Sequence, residues 1–145
     1  MPVIWVLCAI LISTAAVFSF EQTSQNRAVR DAEILALSGS MLVYRNVVAT
    51  FSTYNPTFVG SASDSALNLP VWYVRPLHLS NYIVAGKSYI FFTEAVPGLA
   101  GSLARDTESI NVGTNIGGVL ISPNTGNTGI LLPAQIPVSA VAMIL

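Results

Sequence analysis

The sequence predicts an α+β fold: an N-terminal transmembrane helix, a long amphipathic helix, and then a domain built on a mainly antiparallel β-sheet. Three observations carry this. Residues 3–20 contain no charged side chain. Residues 23–51 contain no proline, Gly39 is their only glycine, and their apolar positions recur at helical spacing. Beyond residue 68 come short β-branched and aromatic runs separated by turn residues. The expected organisation is an anchor over 1–22 and a compact domain over 23–145, with a helix at about 23–52 and a β-rich part over 68–145.

The 145 residues suit one ordinary domain. Only 9% are charged and 52% are hydrophobic, whereas about 25% of a typical soluble domain is charged. A single membrane span accounts for only part of that deficit. The net charge of -1 and the absence of a basic stripe exclude nucleic acid as an expected partner. Cys8 is the sole cysteine and His78 the sole histidine. No intramolecular disulfide can form, no Cys-based zinc site is available, and neither metal nor cofactor is expected.

The first element reads VIWVLCAILISTAAVFSF. As a helix it rises about 27 Å, close to the hydrocarbon thickness of a bilayer. Its anchoring side chains would be Val3, Ile4, Trp5, Leu7, Ile10, Leu11, Ile12, Val17 and Phe18, with Glu21 and Gln22 marking the exit into water. The rival is a cleaved secretory signal, cut after Ser19. That reading lacks a Lys or Arg before the apolar run, and the run is long for a signal core. Arg27 and Arg30 favour a cytoplasmic C-terminus by the positive-inside rule. A domain poor in lysine and rich in Ser, Thr, Asn and Gly has instead the surface of an exported one. The expectation is a single-pass protein of a bacterial inner membrane with its domain in the periplasm.

In the second element Ile34, Leu37, Met41, Tyr44, Val48 and Phe51 follow spacings of three and four, one stripe of a helix. Ala28, Ala32, Leu35 and Leu42 widen it. The stripe is either the core face or a contact for a partner helix, and it is too short for an established coiled coil. Asn55 and Pro56 end it.

The β-rich part opens after a small-residue loop, 60–65. Candidate strands are 71–74, 82–85 and 88–92, with Gly86 and Lys87 as a two-residue hairpin loop. A short helix is expected over 99–108. From Ser109 to Leu145 no residue is charged. Residues 118–121 and 129–132 flank a turn at 123–127, a hairpin pattern. The final run, 138–145, reads as a central or heavily covered strand, approached through Pro133 and Pro137. This tail either forms a buried sheet or offers an apolar surface to a partner.

Catalytic patterns are missing. Gly86, Lys87 and Ser88 end like a phosphate-binding loop, but Asn81 stands where its first glycine is needed. A Ser-His-Asp triad would have to draw on His78 with Asp31, Asp64 or Asp106. The acid pairs Asp31 with Glu33 and Asp106 with Glu108 read as solvated faces.

The opening MPVIWVLCAILISTAA, the helix RAVRDAEILALSGSMLVYRNVVATF and the uncharged tail together resemble the PilM family of conjugative-plasmid thin pili, which are type IVb pili. The resemblance covers the full length and rests on overall plan. It implies a scaffold of the pilus basal body or pilin transport apparatus in the inner membrane. The implied partners are the membrane and other pilus-assembly proteins or pilins, with a homo-oligomer also admissible. It brings no catalytic residues. Two other classes stay open beside it. A minor pilin would share the plan, but it calls for a charged leader ending in glycine. A membrane-anchored envelope hydrolase would have to act through His78 or Lys87.

Overall fold

The computed structural model describes the backbone of residues 2–145 and the side chains from Gln25 onward. The anchoring side chains named above therefore lie outside the described residues. The architecture is the expected one, α+β: a long apolar N-terminal helix followed by a six-stranded antiparallel sheet. The chain divides into two compact units, Met1–Glu33 and Ile34–Leu145. The first is helical, and most of its side chains from Gln25 to Glu33 are exposed. The second holds the core.

Helix α1 runs Pro2–Tyr54. Its end follows from local chemistry. The Asn55 N–H donates to the Phe51 carbonyl at 3.0 Å, the Asn55 side-chain amide donates to the same oxygen at 2.9 Å, and Pro56 prevents a further turn. The stretch Gln25–Tyr54 is long and apolar enough to cross a bilayer. Met41, Tyr44 and Val48 on it are fully buried among other protein side chains, however, which marks its part from Ile34 onward as the core helix of the second unit.

A single turn, α2 (Asp64–Leu67), is started by Ser63, whose hydroxyl accepts from the Ala66 N–H. Strands β1 (Leu79–Val84) and β2 (Lys87–Phe92) then form a hairpin. Its two loop residues are Ala85 and Gly86, with φ of 50° and 73°. The loop thus sits one residue earlier than the expected pair, because the favoured two-residue turn needs positive φ at both central positions. Helix α3 (Leu99–Thr107) buries Leu99, Ser102, Leu103 and Ala104. Strands β3 (Val112–Ile116), β4 (Val119–Ser122), β5 (Gly126–Leu131) and β6 (Val141–Ile144) complete the sheet, in the order β1-β2-β6-β3-β4-β5. The last strand is central, as expected.

Alternation along β2 and β6 separates the two faces of the sheet. Ile90, Phe92, Val141 and Met143 join α1 and α3 in one core cluster. Tyr89, Phe91, Ala142 and Ile144 join Leu120, Ile136 and Ala140 in a second. The chain itself covers that second face with the segment between β5 and β6. Asn115, 2% exposed, pins the segment through its amide to the carbonyls of Ile136 (2.8 Å) and Pro137 (3.0 Å). The end of the uncharged tail is thus interior: β6 is buried at all four positions, whereas β5 lies at the sheet edge and is largely exposed. A strand covered on both faces has little room for charge.

One expected strand is absent. Residues 71–74 form a turn and an irregular segment instead. Pro70 and Pro76 bracket the run, each removing a backbone donor and fixing φ, so its β-branched and aromatic residues cannot join a ladder.

Candidate interaction surface

The segment between α2 and β1 has no regular structure, yet it is held at several points. The Tyr73 N–H donates to the Pro70 carbonyl at 2.8 Å and closes a turn. The Tyr73 ring points inward and stacks on Tyr44, with centroids 6.3 Å apart and planes at 16°. Its hydroxyl donates to the Ser40 carbonyl of α1 at 3.0 Å and accepts from the Ser40 hydroxyl at 3.1 Å. Arg75 braces the other end. Its Nε donates to Asp64 at 3.1 Å and its Nη1 to the Leu79 carbonyl at 2.8 Å.

Beneath the loop lies a buried polar knot. Asn81, 2% exposed on β1, donates from its amide to the Tyr44 hydroxyl at 2.6 Å and to the Ala62 carbonyl at 2.9 Å, and it accepts from the Ala62 N–H at 2.8 Å. Burial pushes the phenols of Tyr44 and Tyr73 above their ordinary value, so both stay neutral at physiological pH. A cleft of about 620 Å³ adjoins the loop, lined by Asp64, Leu69 and residues 73–80.

Tyr73 turns toward α1 and Arg75, though exposed, is tied to Asp64 and the Leu79 carbonyl, while their apolar neighbours face water. Val71 is fully exposed, Trp72 is 72% exposed, Val74 84% and Leu77 80%. Scattered exposed apolar residues are ordinary, but four large ones on one braced loop are not. Residue patterning misses this surface because it assigns 71–74 to the sheet. The flanking prolines are the available signal.

The stripe residues of α1 line the core of the second unit. Met41, Tyr44 and Val48 are fully buried, and Ile34, Leu37 and Phe51 pack against them. The groups considered for catalysis are dispersed. His78 Nε2 lies 3.6 Å from a Glu94 carboxylate oxygen, and its ring meets Phe92 edge-on. Asp64 is taken up by Arg75, and Asp106 accepts from the Ser38 hydroxyl at 2.7 Å. Lys87 starts a strand, so no helix N-terminus follows it to cradle phosphate. Asp31 and Glu33 lie on the N-terminal unit. Among the described residues, no three His, Cys, Asp or Glu side chains are grouped to hold a metal.

Comparison with known proteins gives one family. The model of the PilM family matches residues 7–144. A crystal structure of a protein assigned as PilM from Pseudomonas aeruginosa 2192 is 42% identical to this chain. The match covers 77% of this chain and 94% of that one, with a TM-score of 0.52. A second, assigned as PilM from Escherichia coli B7A, is 23% identical and shares the fold. Here the match covers 79% of this chain and 93% of that one, with a TM-score of 0.60. No curated protein matches.

Proposed function

The chain belongs to the PilM family, which is associated with pilus biogenesis, and from that premise we propose that it is a non-enzymatic scaffold of a type IV thin-pilus assembly apparatus. In this reading residues 3–20 tether it to the bacterial inner membrane, and the second unit works in the periplasm by contacts with pilins or other basal-body subunits. The observation that carries the reading is the braced loop. Contacts to Ser40, Asp64 and Leu79 hold Val71, Trp72, Val74 and Leu77 in water. A protein gains nothing in stability from such an arrangement, whereas a binding surface gains a rigid apolar anchor. Tethering adds to this, because confinement at the membrane raises the effective concentration of weak partners without any new contact.

The test is to exchange residues 1–22 for a cleavable secretory signal in a piliated host. Pilus number, counted by electron microscopy, should fall sharply while the released domain keeps the thermal midpoint of the membrane-bound one. Undiminished piliation would contradict the tethered role.

A further inference from the structure

We propose that the loop over residues 70–77 is a homotypic contact, pairing with the same loop of a second copy of this chain about a two-fold axis, with Trp72 at its centre. This pairing rests on the scaffold reading and deepens it, since it supplies the occupant of the exposed loop.

Area supports a second copy. At their observed exposures Val71, Trp72, Val74 and Leu77 present on the order of 600 Å², against the ~800 Å² that each partner contributes to a standard interface. Pairing the loop with itself would bury up to roughly 1,200 Å² in all if these four residues were fully covered, which reaches the lower edge of what specific complexes use.

Charge points the same way. A two-fold contact places residues at its centre near their own mates, so an unpaired charge there repels itself. This loop avoids that cost. Its four outward side chains are apolar, Arg75 is paired with Asp64 of its own chain, and His78 faces Glu94. A bilayer surface fits less well, because loops that seek headgroups present cations to them. A charged protein partner would find no complementary charge on the four outward residues.

The loop is also prepared for contact. The inward Tyr73 and the bridging Arg75 fix it before any partner arrives, which lowers the ordering cost of association. Trp72 meets the Tyr73 ring edge-on, with centroids 6.1 Å apart at 83°, so the largest outward side chain is itself held.

The experiment uses the full chain in its native membrane. In a Cys8→Ser background, the Val71→Cys variant and, separately, the Thr125→Cys variant are treated with a short bis-maleimide. Both positions are exposed, so neither substitution disturbs the core. The Val71→Cys chain should link to a second copy of itself through position 71, giving a species of twice the chain mass. That species should be about tenfold more abundant than from the Thr125→Cys control. Adding Trp72→Asp to Val71→Cys should reduce it about tenfold, with Trp72→Ser as the milder variant should the aspartate impair folding. A self-adduct equally strong from Thr125→Cys would place association elsewhere and overturn the proposal. So would adducts of the Val71→Cys chain only with other proteins, no adduct at all, or a yield indifferent to Trp72. If piliation depends on the tether while Val71→Cys gives no self-adduct, the scaffold reading stands and the homotypic contact fails.

Discussion

Asn81 shows how a single side chain joins three parts of the second unit. It ties β1 to α1 through the Tyr44 hydroxyl and to the 60–63 segment through both backbone groups of Ala62. All of these groups are away from water, so each one left unpaired carries a desolvation cost. Asn81→Ala should therefore lower stability by about 3 kcal/mol, read as a drop in the urea midpoint with an unchanged slope. A loss under about 0.5 kcal/mol would mean that water replaces the amide. Nothing in the sequence gives this asparagine a structural role. It lies just outside the strand expected at 82–85, and the Tyr44 hydroxyl that meets it is 37 positions away in the chain. The same holds for Asn115. Its place in an uncharged tail gives no hint that it fastens the cover of the second sheet face.

Elements are more legible than their joints. The helical spacing from Ile34 to Phe51, the short helix expected at 99–108, the 118–132 hairpin and the covered last strand are local patterns, and local patterns can be read from sequence. The strand expected at 71–74 fails because β propensity describes a half-buried pleated surface, while prolines on both sides deny this run a neighbour. Glycines make the same distinction between local and non-local causes. At Gly113 of β3 an added Cβ would clash with the backbone carbonyl of Ile121 on β4. At Gly101 within α3 it would meet nothing within 4 Å. Gly113→Ala should thus destabilise by about 3 kcal/mol, whereas Gly101→Ala should stabilise by up to about 1 kcal/mol through helix propensity. Thermal melts of the pair check this, and equal effects would refute the close approach of β4 at Gly113.

At the scale of the whole molecule, the shortage of charge is legible and its cause only partly so. Composition suggests a membrane span and leaves the uncharged tail either as a buried sheet or as an apolar surface for a partner. The second unit adds a reason of its own: its sheet is covered on one face by α1 and α3 and on the other by the 132–140 excursion. Four of its large exposed apolar side chains gather on the Trp72 loop, three of them in the 71–74 run that residue patterning assigns to the sheet. The proposed role depends above all on residues 3–20 holding the chain permanently in lipid. Alkaline carbonate extraction of membranes carrying the full chain, followed by intact mass of the retained protein, tests this directly. The predicted result is the uncut chain in the membrane pellet; release into the supernatant, whole or cut near Ser19, would contradict it.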